Sequence, residues 1–568
     1  MSVSTVPTKR PWVAPVLVLC GILVAVAAWT LPVNLKSVSP ALLREAGEST
    51  PSLSAFGRNL VDSEKIGPAA LFLDAARTLG DPGTATLESA LQELSNHQPE
   101  MVAWGGWDPF LDPLFNLRES KGQSVSTPVL NFLIPEQARG TLRTYLANSR
   151  SLGVQAVLRT REINSTGRFV PVSQPGGQSL ESIILLTALL YQGEHLSPAL
   201  QREVRSLADL AVSRQTLGEL EPFFLDVLSL GKRLDWAQLA ELLRRTNDIK
   251  TVSEYAHLAR VAPEQFPLIY VAALFSGSAD RVASYLLQYG KNGLDDLRLA
   301  LSNGQGAVNQ LMLRQVPVNH TMDAGIGTAA SLVMLHPQAM LVVKYLAYLF
   351  GAFLVFRGLD LWIVAPTAGA GLGLPGMKSG VLAFLFAALL IVATEPFLLK
   401  AAPPSEFRVR LVLPALVITS TNPVQAADST IPIMDSSTLI SIGFFAALQI
   451  AMYVTCLVKI RDIARSAVSP IVKLRLMENE ENLFDGGLYV GIGGTAAALV
   501  LQVLGIIEPN LLAAYSSNLF GITCVAIVKI RHVRPYKRQL ILDSQTVVPV
   551  YTATQSGTGK AGVAPVVT

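Results

Sequence analysis

Six stretches of mostly apolar residues stand out along the chain, one near its start and five after residue 338. A transmembrane helix needs about 20 mostly apolar residues to cross about 30 Å of hydrocarbon. The pattern therefore predicts about six transmembrane helices, at Trp12–Leu31, Ala339–Phe356, Ser379–Leu399, Leu439–Val458, Gly487–Ile507 and Leu511–Val528.

Basic residues indicate how these helices are oriented. Lys and Arg cluster after the fourth and sixth stretches, whereas the turn Ile507–Asn510 between the last two carries none. Because cytoplasmic ends of membrane helices are rich in Lys and Arg, we expect both termini in the cytoplasm and Pro32 to Pro337 outside. We accordingly expect a multi-pass protein of a bacterial inner (cytoplasmic) membrane, with its large domain in the periplasm.

Two segments admit a second interpretation. Leu411–Thr419 is apolar but short for a span, so we expect an interfacial or re-entrant segment. A seventh crossing there would place Lys9 and Arg10 outside. The first stretch is expected to be an uncleaved anchor, with a cleaved signal peptide as the alternative because small residues stand at Ala25–Ala28.

The segment between the first two apolar stretches predicts helix after helix. Gly67 and Pro68 open the apolar-periodic run Ala69–Leu79, as helix start signals do. Further helices are expected at Leu87–Leu94, Trp236–Arg245, Val252–Ala259, Pro267–Leu274, Asp280–Tyr289 and Leu294–Leu301. The succession resembles TPR or HEAT helical repeats and predicts an extracytoplasmic α-solenoid-like domain that binds an envelope protein.

Two parts of this domain look different. Ser124–Pro175 carries Gly, Pro and Ser breaks, which predicts a hinge or irregular insert. The aromatic run Trp104–Phe110 is expected to be a packed cap, with a ligand-stacking loop as the alternative.

Composition and motifs narrow the function class. Only 15% of the residues are charged, against about 25% in a soluble domain, and the net charge of +3 gives no argument for nucleic acid. The three cysteines lie in apolar stretches, so the large domain has no disulfide framework or thiolate metal site. No two histidines have helical ligand spacing, and HExxH, GxSxG and phosphate-binding loops are missing. We therefore expect no enzyme, no metal ion and no cofactor.

Polar residues inside the last two stretches are the candidate functional residues. Polar side chains are costly in hydrocarbon unless they face protein or a water-filled path, so we expect a shared channel-lining surface from Thr495, Ser517 and Asn518. The alternative is that the hydroxyls bond to carbonyls four residues earlier in a packed hairpin. Close helix packing is expected at Gly491, Gly493, Gly494 and Gly521.

The runs Gly491–Thr495 and Ser517–Gly521, with the order and orientation of the last three stretches, resemble the MotA/TolQ/ExbB proton-channel family. The resemblance implies a homo-oligomeric ring, pentameric in that family, around a single-span partner of the ExbD/TolR type. The partner's Asp would carry the proton, and this chain would supply polar lining. Two departures are the short link Lys459–Gly486 between the first two core helices, and Asn518 where Thr is usual.

These observations predict five regions, which are an anchor or signal over 1–33, a helical-repeat domain over 34–337, two spans and an interfacial segment over 338–436, a three-helix core over 437–541 and a disordered cytoplasmic tail over 542–568. The expected function is a membrane component of a TolQ/ExbB-like, proton-driven, energy-transducing complex. The alternative is a membrane-anchored scaffold that binds envelope proteins without conducting ions.

Overall fold

The computed structural model describes residues 12–115, 125–320, 327–363, 377–398, 405–407, 436–503 and 511–546. Over these residues the regular secondary structure is helical, without strands, so the prediction of an all-α fold is confirmed. The predictions for Leu411–Thr419 and for the turn Ile507–Asn510 lie outside the described residues.

Nineteen α-helices precede the second apolar stretch. In chain order they are α1 (Val13–Trp29), α2 (Pro40–Glu48), α3 (Leu53–Asp62), α4 (Ile66–Leu79), α5 (Thr84–His97), α6 (Pro99–Val102), α7 (Asp112–Phe115), α8 (Val129–Leu133), α9 (Glu136–Ala147), α10 (Leu152–Arg159), α11 (Gln178–Gln192), α12 (Pro198–Arg214), α13 (Leu220–Gly231), α14 (Trp236–Arg244), α15 (Ile249–Val261), α16 (Phe266–Ser276), α17 (Ala279–Asn303), α18 (Gln305–Arg314) and α19 (Gly327–Leu335).

Eight further α-helices are described in the remainder of the chain. They are α20 (Pro337–Ile363), α21 (Met377–Thr394), α22 (Ser436–Arg465), α23 (Pro470–Asn479), α24 (Glu481–Phe484), α25 (Gly486–Val503), α26 (Leu511–Ile527) and α27 (Arg534–Thr546). A π-helical segment, Val528–Val533, joins α26 to α27. Because α27 continues to Thr546, the prediction of a disordered tail is wrong for residues 542–546, and 547–568 lie outside the described residues.

Each of the six apolar stretches coincides with a helix, namely α1, α20, α21, α22, α25 and α26. Among the described residues, Pro337–Trp362 is long and apolar enough to cross a membrane. Val13–Trp29 and Ser379–Thr394 are apolar helices of shorter length.

The chain divides into two compact units. One, the helical unit, comprises 26–346 and 402–427; the other, the second unit, comprises 1–25, 347–401 and 428–568. The predicted domain over 34–337 lies inside the helical unit, and the two predicted regions over 338–541 fall largely in the second unit.

The helical unit closes on itself. Helix α2 packs against α17, α18 and α19, and α4 packs against α14 and α16. In a linear stack each repeat contacts only its neighbours. The prediction of a solenoid-like stack is therefore wrong, because the first helices cover the last ones and share one apolar core that includes Val33 and Val333.

The predicted irregular insert, Ser124–Pro175, is mostly helical. Helices α8, α9 and α10 lie within it, and Leu142 and Val157 are buried where α9 and α10 pack on α11. The prediction is wrong there because short amphipathic helices follow closely on the Pro and Ser breaks. Residues after 162 are irregular, and the Glu221 carboxylate holds them by accepting the backbone N–H groups of 167–169 at 2.5–3.0 Å.

The segments that enter and leave the helical unit lie side by side. Val38 forms a parallel bridge with Val318. Lys344 of α20 is buried, and its Nζ donates to the carbonyl of Val33 at 2.6 Å and to Oδ1 of Asn34 at 2.7 Å. A buried ammonium is costly unless its protons are bonded, so these contacts explain how an apolar helix carries this lysine.

In the second unit, α1 packs on α20 through glycines. A Cβ added at Gly351 would lie 2.8 Å from the carbonyl oxygen of Gly21, and one at Gly358 would lie 2.9 Å from that of Ala14. Such separations are shorter than any normal Cβ contact, so glycine is what lets the two backbones touch.

Candidate functional site

Helices α22, α25 and α26 pack together within the second unit. On α22 the buried residues Gln449, Cys456 and Ile463 recur every seven positions, which is the spacing of a helix that faces a partner along its length. On α26 the buried face is formed by Ser517, Gly521 and Cys524, and the buried Val528 at the start of the π-helical segment continues it. Two of the candidate residues, Ser517 and Gly521, therefore belong to a three-helix contact.

Glycines set the distance between α25 and α26. A Cβ at Gly521 would lie 2.6 Å from the carbonyl oxygen of Gly487, and one at Gly491 would lie 3.0 Å from that of Ser517. The two contacts run in opposite directions along the helices, as in an antiparallel hairpin. Larger residues would force the helices apart at these positions.

The structure brings Thr495 and Ser517 to the same acceptor. Oγ1 of Thr495 donates to the carbonyl of Gly491 at 3.0 Å, and the buried Oγ of Ser517 donates to that carbonyl at 3.3 Å. Gly494 makes room, since a Cβ there would lie 2.5 Å from Oγ of Ser517. One hydroxyl bond is local to its helix and the other crosses between helices.

Asn518 and Gly493 differ from their neighbours. The side-chain oxygen Oδ1 of Asn518 is buried and has no hydrogen-bond partner among the described residues. Gly493 is exposed, and a Cβ there would have no neighbour within 4 Å. The prediction that Gly493 packs against a helix is wrong within this chain, because it lies two residues from Gly491 and hence on the opposite side of α25.

Gln449 belongs to this site, although sequence reasoning missed it. Its side chain is 4% exposed, and Nε2 donates to the carbonyl of Gly487 at 3.1 Å. Cys524 also contacts the backbone oxygen of Gln449 through Sγ, at 3.7 Å. A lone Gln inside an apolar span was the available signal, because such residues face protein or water.

Ion pairs close the basic end of the three-helix group. Nζ of Lys529 lies 2.7 Å from Oδ1 of Asp485, and Nζ of Lys459 lies 2.8 Å from Oε1 of Glu480. All four side chains are partly exposed, so each pair is worth less than about 1 kcal/mol. The first pair joins the π-helical segment after α26 to the residue before α25, and the second joins α22 to the residue before α24.

The aromatic run in the helical unit is packed. Trp104 is buried and stacks on Phe132 with ring centroids 4.1 Å apart. Asp108 accepts a hydrogen bond from Nε1 of Trp236 at 2.8 Å and lies 3.0 Å from Nε2 of His195. Burial raises the pKa of Asp108, but the His195 and Trp236 contacts outweigh it and lower that pKa to about 2.

A second buried carboxylate, Asp235, caps α14. Its Oδ1 accepts the backbone N–H of Gln238 and its Oδ2 accepts the hydroxyl of Ser126, both at 2.8 Å. Burial dominates at this position and raises the pKa of Asp235 to about 7. Within the described ranges, no three His, Cys, Asp or Glu side chains cluster as they would around a metal ion.

No family model, curated protein or solved structure matches this chain. The functional interpretation therefore depends on the geometry above and on the residues of the two short motifs.

Proposed function

We propose that this chain is a membrane component of a TolQ/ExbB-like, proton-driven, energy-transducing complex, located in a bacterial inner membrane with its helical unit in the periplasm. In this proposal six helices, α1, α20, α21, α22, α25 and α26, cross the membrane. The chain assembles as a homo-oligomer around a single-span ExbD/TolR-like protein, and the helical unit engages an envelope protein.

Contacts at the start of α20 and after α21 are evidence for a transmembrane hairpin, in which the chain leaves the helical unit along α20 and returns to it after α21. Lys344, near the start of α20, bonds to residues of that unit. Beyond α21, the chain is again packed on it, since Phe407 is buried there and its carbonyl contacts Nε2 of His257 at 2.7 Å. If α20 and α21 each cross the membrane once, the chain returns to the side from which it left. Lys344 and Phe407 can then both contact the helical unit, and residues 405–407 lie on the outer side.

The observation that carries the proposal is the polar interior of the α25–α26 pair. Helices α25 and α26 contain no Asp or Glu. The hydroxyls of Thr495 and Ser517 both donate to the carbonyl of Gly491, and the buried Oδ1 of Asn518 lies on the same hairpin. Polar groups placed inside an apolar hairpin suit the lining of a proton path whose titrating acid comes from another chain.

The experiment is proton flux through the complex purified by a tag on this chain and reconstituted in liposomes, with an imposed membrane potential and a pH-sensitive dye inside. We expect flux in the unmodified complex, a loss of at least about tenfold in Thr495→Val and Asn518→Leu, and unchanged assembly. A loss of tenfold corresponds to about 1.4 kcal/mol in a barrier.

Thr523→Val is the matched control. Oγ1 of Thr523 donates to the carbonyl of Leu519 at 2.8 Å, which is the same local bond that Thr495 makes, but on the exposed side of α26. Its removal should leave flux unchanged. Equal flux in the Thr495, Asn518 and Thr523 variants would refute the proposal.

A scaffold is the second candidate, because the Ser517 and Thr495 hydroxyls both have an acceptor in Gly491 and can serve packing alone. The helical unit also has a core of its own. A scaffold would capture the same envelope proteins whether or not the polar residues of α25 and α26 are replaced, and the purified complex would show no flux.

A further inference from the structure

The amide of Gln449 lies at the point where α22 meets the α25–α26 pair. A Cβ at Gly487 would be 3.3 Å from Oε1 of this amide, and a Cβ at Gly521 would be 3.3 Å from its Nε2. The two glycines that hold α25 and α26 together therefore also make the space that the amide fills. The side chain is 4% exposed, so it is more than nine-tenths buried.

The hydrogen bond to Gly487 fixes which way the amide points. Nε2 must face the Gly487 carbonyl, because only the nitrogen can donate. Oε1 is then the acceptor left over, and among the described residues it has no hydrogen-bond partner. A buried acceptor without a partner is costly, which calls for a ligand at this oxygen.

Asn518 supplies a second oxygen of the same kind. It stands three residues before Gly521, hence one helical turn away on α26, and its Cα would lie 3.3 Å from a Cβ at Gly491. Its Oδ1 is likewise buried and without a partner in the described part of the chain. Ser517 gives its proton to Gly491, so the two buried atoms without a partner here, Oε1 of Gln449 and Oδ1 of Asn518, are neutral oxygens that accept.

We propose that Oε1 of Gln449 and Oδ1 of Asn518 bind a small cation that neutral oxygens coordinate, either hydronium or sodium. The inference rests on the proposed function, since it gives the conducted ion a binding position. Amide oxygens carry the negative end of a strong dipole, so these two oxygens attract a hard cation and repel an anion.

The test is the thermal unfolding of the purified full-length chain in detergent, in sodium chloride and in choline chloride at equal ionic strength, each over a range of pH. A stabilising shift on adding sodium identifies sodium as the ligand. A stabilising shift on lowering pH identifies hydronium only where Gln449→Leu and Asn518→Leu both remove it, because the pH dependence that comes from Asp235 persists in those variants. Anything that binds the folded state alone raises its stability by mass action.

Gln449→Leu and Asn518→Leu should each weaken the apparent cation affinity about tenfold or more. Gln449→Glu keeps the side-chain length and adds a negative charge, so it should strengthen the apparent cation affinity. This variant tests the proposal even if a leucine variant fails to fold. Thr455→Val is the matched control on α22, because Oγ1 of Thr455 is satisfied by the carbonyl of Ala451 at 2.9 Å.

A shared ligand makes the two leucine substitutions non-additive in a double-mutant cycle. The proposal is overturned if the thermal stability of the unmodified chain does not depend on the cation, or if that dependence survives both leucine substitutions. It is also overturned if a donor side chain from a second copy is found bonded to both oxygens. A chain that binds the cation but gives no proton flux would keep this site and remove the proposed function, so the two failures are distinguishable.

Discussion

Replacing Asp235 by Asn removes a charge from one of the most enclosed positions in the helical unit. The carboxylate is 1% exposed, and a Cβ at Gly67 would lie 2.1 Å from its Oδ2. Asn caps helices about as well as Asp and keeps the oxygen that accepts from Gln238. The Ser126 hydroxyl can rotate to accept from the new amide, so the substitution changes charge with little change in shape.

The size and sign of the effect follow from the pKa. Burial raises the pKa of Asp235 from 3.8 to about 7, a difference of about 3 units. The unfolded chain releases the proton above about pH 4 while the folded chain holds it, so the free energy of unfolding falls as pH rises towards 7 and is constant above it. At about 1.4 kcal/mol per unit, the folded state loses about 4 kcal/mol across this window.

We therefore expect Asp235→Asn and the unmodified chain to be equally stable at about pH 4, and the variant to be more stable by up to about 4 kcal/mol above pH 7. Urea unfolding of the full-length chain in detergent, followed by tryptophan fluorescence, measures this, since Trp236 is buried beside the substitution. A stability difference that does not vary between pH 4 and 7, or that favours the unmodified chain at pH 8, would refute the reasoning.

Three further outcomes are expected. Asp108→Asn should lower the free energy of unfolding at neutral pH, which is the opposite of the effect at Asp235. The pKa of Asp108 is lowered in the folded chain, so its carboxylate stabilises the fold above about pH 4, and that stability disappears as pH falls towards 2. A difference of about 2 pKa units corresponds to about 2–3 kcal/mol, which urea unfolding at neutral pH measures. Gly521→Ala should lower the thermal midpoint through a cost of about 1–3 kcal/mol, whereas Gly493→Ala, which meets open space, should not lower it. Gly351→Leu should separate α1 from α20, so a crosslink between two cysteines, one introduced in each helix, should form when Gly351 is kept and be lost in the variant.

The positions of the long apolar helices could be predicted because they depend on local sequence. A run of about 20 apolar residues predicts a helix from its own composition and length, and α20, α25 and α26 begin within two residues of the predicted spans. Helix ends were less predictable. Helix α22 continues to Arg465 because its basic end extends past the apolar run without a Gly or Pro to stop it.

Contacts between distant residues could not be predicted. Closure of the helical unit depends on α2 meeting α17 and α18, and no periodicity in either segment encodes that pairing. Gln449 likewise belongs to the site through its hydrogen bond to the carbonyl of Gly487, which is 38 residues away in the sequence. The separation of Gly493 from Gly491, in contrast, follows from the helical period and could have been obtained from the sequence.

The hydroxyls of α25 and α26 cannot decide between a channel and a packed hairpin, because one carbonyl accepts from both and each interpretation accounts for that bond. The amide oxygens of Gln449 and Asn518 can distinguish the channel from the packed hairpin. Packing alone would favour an apolar side chain over a buried Gln449 whose Oε1 bonds to nothing in the described chain. If that oxygen binds a cation, the cost of burying the amide is offset only when the cation is present, and the stability of this hairpin must then depend on the concentration of that cation.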